Sequence, residues 1–181
     1  SAAGGDMTTT TAAGGSDSMT MRPVDAIELP AGETVKLKPG LTFANGHALT
    51  SSDVKFSFDR QVAIADPSGP ASLLGNLASV AAPDAETVVF TLKNPNDQVW
   101  PQILTSPAGP IVDEEVFPAD ALLADSGIVA ANPWSGPYTI TTYNFNELVS
   151  YAANDGYQGL LGAPKTAQVN VKYYADSNNL K

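Results

Sequence analysis

An α+β fold with a mixed sheet and short helices is what this sequence predicts, and three observations predict it. Alternating apolar residues mark short strands at "TVKLK", "ETVVFTLK", "GPYTITTY" and "AQVNVKYY". One stretch, "TSSDVKFSFDRQV", instead repeats its apolar residues every four positions, the spacing of a helix face. Strands and helices then follow one another without strict βαβ alternation, which argues against a doubly wound parallel sheet.

The elements can be justified in order. Residues 1–18, "SAAGGDMTTTTAAGGSDS", contain no aromatic or branched aliphatic residue. They cannot bury enough apolar surface to offset the entropy of ordering them, so a flexible leader is expected there. From Met19 the chain predicts two extended pieces: "AIEL" alternates, "PAGE" supplies turn residues, and Thr34–Lys38 alternates again with Val35 and Leu37 on one face. Lys38-Pro39-Gly40 suits a type II turn, with Pro setting φ and Gly taking the positive φ that follows.

Asn45-Gly46 marks a tight turn. Thr50-Ser51-Ser52-Asp53 has the capping-box pattern, a hydroxyl followed three residues later by a carboxylate. Val54, Phe58 and Val62 behind it predict one apolar helical stripe, which Asp66-Pro67-Ser68-Gly69 terminates. A second short helix is expected across "ASLLGNL". The stretch "ASVAAPDAETVVFTLK" predicts a hairpin bending near Pro83-Asp84, with Val88, Phe90 and Leu92 facing one way. "NDQVWPQILTS" predicts a short helix carrying Trp100 and Ile103, followed by weak helices at Asp113–Phe117 and Ala119–Ala124. "GPYTITTYNFNELVSYAAND" predicts a second hairpin turning at Asn144-Phe145-Asn146, and Val169, Val171 and Tyr173 alternate along a last strand.

Bulk properties exclude several classes. At 181 residues the chain has room for one domain with a core, or a domain plus a tail. Nine basic and nineteen acidic residues give a formal charge of −10, a field that repels phosphate backbones and disfavours nucleic acid as a partner. No apolar run approaches the ~18 residues of a membrane-spanning helix. The absence of cysteine removes disulfides, thiolate metal sites and cysteine nucleophiles. A chain that opens on Ser1 without a charged-then-apolar signal segment is expected to be a processed or cut form.

Few residues invite a chemical reading. His47, the single histidine, follows the Asn45-Gly46 turn and is expected to be a solvated loop residue, with no second histidine or cysteine to complete a metal site. Asp113-Glu114-Glu115 reads as a solvated helix start, because carboxylates favour helix N-termini. Trp100, Trp134, Tyr138 and Tyr143 are the aromatic residues that could line a ligand cleft, against a default of core packing. The serines have no credible base partner and there is no Gly-rich phosphate loop, so no enzyme activity is expected.

Two families resemble parts of this chain. "TVKLKPGLTFANGHALTSSDVKFSFDR" resembles the bacterial extracellular solute-binding proteins of family 5, the dipeptide, oligopeptide and nickel receptors of ABC importers. The later pieces "LASVAAPDAETVVFTLKNPN", "SGPYTI" and "NDGYQGLLGAPKTAQVNVKYYAD" resemble that family's hairpin, its Gly-Pro-Tyr step and its Asn-to-Val passage, in the same order. Gly159 stands after Gln158 where the family usually has Trp-Gly, and Ser135 where Thr is common. The resemblance implies part of lobe I of a type II periplasmic-binding-protein-like fold over residues 34–181, preceded by a short β segment. It further implies an extracytoplasmic monomer that captures a small peptide or similar solute for an ABC importer permease. Because family members are several times longer and close two lobes over the ligand, a truncated chain with weak or absent solute affinity is expected.

The second resemblance covers residues 19–40. "MTMRPVDAIELPAGETVKLKPG" is similar to the PCuAC periplasmic copper chaperones, which hold Cu(I) with methionine thioethers and histidines. Met21 stands at the motif methionine and Met19 shares its strand face. The family's upstream histidine falls at Thr10 here, and its downstream His-x-Met is replaced by Leu41-Thr42-Phe43. Cu(I) at Met19 and Met21 is therefore the alternative to solute binding, and a chimera of two exported-protein families, joined at Thr34–Gly40, is the expected origin. A structural or designed chimera without a ligand is the third reading, and whether residues 22–40 pair with 165–175 separates a merged domain from an appendage.

Overall fold

The computed structural model describes residues 32–159 and 162–175. The expected leader at 1–18 and the copper-chaperone-like residues 19–31, with Met19 and Met21, lie outside the described residues.

The α+β class holds, but the strands form two antiparallel sheets where one mixed sheet was expected. The physical reason is connection length: Leu77–Asp84 (β2) and Thr87–Leu92 (β3), and likewise Tyr138–Asn144 (β4) and Leu148–Ala153 (β5), are joined by tight turns, which only antiparallel neighbours permit. The first sheet has the order β1-β3-β2, from Gly32–Lys36, Thr87–Leu92 and Leu77–Asp84. The second has the order β4-β5-β6, from Tyr138–Asn144, Leu148–Ala153 and Gln168–Lys172. β1 pairs with β3, placing Val35 opposite Val88, so residues 32–36 join the first sheet and not the sheet that contains 168–172. The strand ends at Lys36, two residues before the expected Lys38, and Gly40 takes φ +72° in the turn that follows.

The core lies between the first sheet and α1, Ser51–Ile64. Val88, Phe90 and Leu92 alternate inward from β3, as a strand with one buried face requires. Val54 and Phe58 meet them from α1, and Trp100, on the short helix α2 (Trp100–Leu104), closes the cluster. Phe58 and Trp100 both pack edge-on against or beside Phe90, at centroid distances of 5.0 Å for Phe58–Phe90 and 5.4 Å for Phe90–Trp100. The edge-to-face geometry suits the ring quadrupoles. Val62, expected on the buried stripe, is 52% exposed. The buried face of α1 is instead Ser51, Asp53, Val54, Ser57 and Phe58, and in the last turn Gln61 and Ile64, not Val62, are half-buried.

The capping box at Thr50 forms as the spacing predicts: Thr50 Oγ1 accepts from Ser52 N, and Asp53 Oδ2 accepts from Thr50 N at 2.8 Å. "ASLLGNL" yields a 3-10 turn at Pro70–Leu74 in place of an α-helix. No helix forms at 113–117 or 119–124; the helix of this region is α3, Asp125–Ala131. At 113 the Asp113 carboxylate accepts from Glu115 N at 2.9 Å, a local side-chain-to-backbone turn that competes with helix formation. At 119–124, Arg60 holds the carbonyls of Pro118 and Ala121 at 2.7 and 2.6 Å, pinning the segment as irregular chain.

Candidate functional site

The second hairpin is built around a bulge. β4 and β5 pair Ile140 with Tyr151 and then Thr142 with Ser150, so Thr141 is an extra residue on β4. Side chains three apart normally face opposite sides of a strand; the bulge inverts the parity and lets Ile140 and Tyr143 share one face. α3 packs on this face with Ile128 and Val129, and Asn132 ends the helix in the left-handed region at φ 52°. The chain then passes through buried Pro133 to Trp134. Together Asp125, Ile128, Val129, Trp134, Ile140 and Tyr143 line a groove of about 190 Å³. The indole Nε1 of Trp134 is buried and has no hydrogen-bond partner.

Two tethers hold Trp134 in place. Ala44 N donates to the Trp134 carbonyl at 2.7 Å, joining the Asn45-Gly46 turn to the groove. Downstream, Asn154 is buried, fixes the Ser135-Gly136-Pro137 step with two hydrogen bonds and closes its own turn with a third. Its Nδ2 donates to Gly136 O at 2.9 Å, its N to Pro137 O at 2.9 Å, and its Oδ1 accepts from Gly156 N at 3.1 Å.

The Asn45-Gly46 turn is anchored in turn by Asp113. That residue is 1% exposed, not the solvated helix start expected of it. Its Oδ2 accepts from Asn45 Nδ2 and faces His47 Nδ1, each at 2.7 Å. His47, expected in solvent, is thus half-buried and paired on its Nδ1 side, with Glu115 Oε2 3.9 Å from Nε2. Asp53 extends the same network by accepting from Glu114 N at 3.2 Å. The cluster is a structural clasp between the cap of α1, the turn at 45–46 and the segment at 112–115.

Of the four aromatic residues singled out in the sequence, the structure brings Trp134 and Tyr143 together on the groove. Trp100 is fully buried in the core, and Tyr138 is half-buried at the start of β4. Asn154 and Asp113 were missed as structural anchors. The signal for Asn154 was the Asn-Asp-Gly turn sequence, and for Asp113 a carboxylate closing the apolar run Ile111-Val112. Among the described residues, the Asp84 carboxyl is held below its ordinary range, first because the Thr87 hydroxyl bonds it, and burial lowers the pKa of Arg60. Among the described residues, no group of three or more His, Asp or Glu side chains is placed to hold a metal ion.

Residues 33–181 match the family described as bacterial extracellular solute-binding proteins, family 5 Middle. The chain belongs to that family, whose members are extracytoplasmic solute-binding components of ABC importers and not enzymes. It is 32% identical over 146 residues to the glutathione-binding protein GsiB of Escherichia coli O1:K1 / APEC, covering 80% of this chain and 27% of GsiB. The crystal structure of the ABC transporter substrate-binding protein CtaP of Listeria monocytogenes superposes with a TM-score of 0.63 at 29% identity, over 81% of this chain and 30% of CtaP. The binding protein AgaA of A. tumefaciens R10, solved in complex with agropinic acid, gives 0.61 at 27% identity, over 82% and 29%. These neighbours have the type II periplasmic-binding-protein fold. The chain spans about a quarter of the length of the curated relatives it matches. The match begins at Glu33, so it takes in residues 33–40 of the stretch that resembles copper chaperones and leaves residues 19–32 outside. No helix of the described residues is long and apolar enough to cross a membrane.

Proposed function

We propose that this chain supplies one wall of the solute site of an extracytoplasmic, peptide-type binding component of an ABC importer. The observation that carries this reading is the groove between α3 and β4. It combines two aromatic rings, aliphatic walls, one carboxylate and an indole N–H without a partner. That set suits a short peptide: apolar and aromatic surface takes the side chains, Trp134 Nε1 donates to a backbone carbonyl, and Asp125 accepts from an amine. Peptide-type chemistry is supported by GsiB, named for a modified tripeptide; AgaA, named with agropinic acid, shows how far solutes range among neighbours.

Ligand sites in proteins bury most of the ligand's surface, and a single open wall leaves much of it in water. The 181-residue chain alone therefore binds weakly, as a monomer, with a Kd of about 1 mM or weaker. A partner wall and an importer permease complete the function. The Cu(I) reading at Met19 and Met21, and the reading as a ligand-free chimera, have no observation in the described residues that favours them.

Isothermal calorimetry with glutathione and trialanine tests the proposal. Heats are expected only at millimolar concentration and are expected to vanish in Trp134→Ala. A micromolar Kd would contradict the single-wall reading, and millimolar binding unchanged by Trp134→Ala would contradict the choice of groove.

A further inference from the structure

A different pocket, of about 290 Å³, opens beside the C-terminal turn of α1 and shares no residue with the groove. Its apolar lining comes from Ile64, Pro70 and Pro107. Two opposite charges, Arg60 and Asp66, border it. They form no ion pair with each other: the ion pairs among the described residues join Lys36 to Asp84, His47 to Asp113 and Glu115, and Lys55 to Asp59. Separated, unneutralised charges of opposite sign across an apolar floor are what a small zwitterion would neutralise.

The acceptor end is the better defined. Gln61 Oε1 is buried and has no hydrogen-bond partner, while its Nε2 reaches only Ala108 O at 3.4 Å. Exchanging O and N in the amide would leave Nε2 without a partner in that place, so the side chain keeps an unmet polar atom either way. Asp66 uses Oδ1 to accept from Ser68 N at 2.7 Å. The last turn of α1 contains no basic residue to meet the negative end of the helix dipole. An ammonium placed here meets a carboxylate, a helix C-terminus and an amide oxygen. At the other end, the guanidinium of Arg60 is held rigid. Nε and Nη2 donate to Pro118 O and Ala121 O, and the carbon lies 5.2 Å from the centre of the Phe117 ring. A fixed guanidinium with donors to spare is a carboxylate receptor at little entropic cost. The pocket's volume sits at the bottom of the ~300–1,000 Å³ range of ligand sites, which fits an amino acid and not a long peptide.

We propose that this pocket is a second small-molecule site, for a free α-amino acid with an apolar side chain. The ammonium docks on Asp66 and Gln61 and the carboxylate on Arg60. Leu122, 67% exposed, borders the pocket and would cover the ligand's side chain. The reading is independent of the groove, because neither site needs the other to be occupied.

The test is an amide NMR titration of the 15N-labelled 181-residue chain with L-leucine, N-acetyl-L-leucine and L-leucinamide. Saturable shifts at Gln61, Ser68 and Gly69 are expected with leucine, with affinity lower by about tenfold or more for either blocked analogue. Asp66→Asn keeps an acceptor for Ser68 N, so the turn should persist; it is expected to remove the preference for the free amine. The absence of saturable shifts would overturn the proposal. So would equal affinity for the three ligands, an unaltered preference in Asp66→Asn, or shifts confined to the Trp134 groove.

Discussion

Asp113 shows how one buried carboxylate can organise several segments. It satisfies Asn45 Nδ2, Glu115 N and His47 Nδ1 at 2.7–2.9 Å with almost no contact with solvent. Replacing it with alanine leaves those donors without a partner, and a loss of about 3 kcal/mol is expected in urea unfolding. A loss under about 1 kcal/mol would show the clasp to be incidental. Asp84 behaves differently because it is exposed. Its carboxyl is held below the ordinary range, first by the Thr87 hydroxyl, with further help from Glu86 N and nearby Lys36. A depressed folded-state value contributes stability above the unfolded value and loses it as pH falls through the folded one. The stability difference between the wild type and Asp84→Asn is therefore expected at neutral pH and should fade through the acid limb. A difference independent of pH would contradict this assignment. Residue roles were the least legible part of the sequence. His47 and Asp113 lie 66 positions apart, and nothing local tells a carboxylate that it will be buried against an imidazole from another segment.

At the scale of elements, what could be read was local. The capping box, the hairpin of Val88, Phe90 and Leu92, and the turn at Asn144-Phe145-Asn146 are short-range patterns, and each formed where expected. α3 was missed because "DSGIVAA" has a glycine in its interior and no side-chain cap, so it is a helix held by its packing on β4. The bulge at Thr141 was equally hidden: an extra residue in a ladder is set by the partner strand. Two outcomes follow from these elements. Thr50→Ala is expected to cost about 1 kcal/mol, and Asp53→Ala more, since Asp53 caps the helix and also holds Glu114 N. Equal costs in thermal or urea unfolding would remove Asp53 from the clasp. Deleting Thr141 should restore strand parity and turn Tyr143 away from the groove. Nuclear Overhauser contacts between Tyr143 and Trp134 or Ile128 are expected in the parent chain and should disappear in the deletion; their persistence would contradict the bulge's role.

For the whole molecule, the two sheets differ in how they are covered. The first is sealed by α1 and α2 around Phe58, Phe90 and Trp100. In the second, every residue of β6 is exposed, with Val169 and Val171 each 37% accessible, and Tyr173, just past the strand's end at Lys172, is 53% accessible. An edge strand with so little burial opens cheaply, so β6 amides are expected to exchange with deuterium well before those of β3. Family membership and fold class were legible in the sequence because motifs and alternation survive without distant contacts. The groove was not, because it needs α3, the bulge and the Asn154 tether at once. On the function proposed above, this groove is the solute-facing wall. The chain has two tryptophans, so its indole N–H resonances are two, and Trp134→Phe assigns them. The most direct measurement is their response to trialanine in 15N-resolved NMR. The Trp134 resonance should shift saturably at millimolar peptide while that of Trp100 stays in place; a fixed Trp134 resonance, or equal movement of both, would contradict the account.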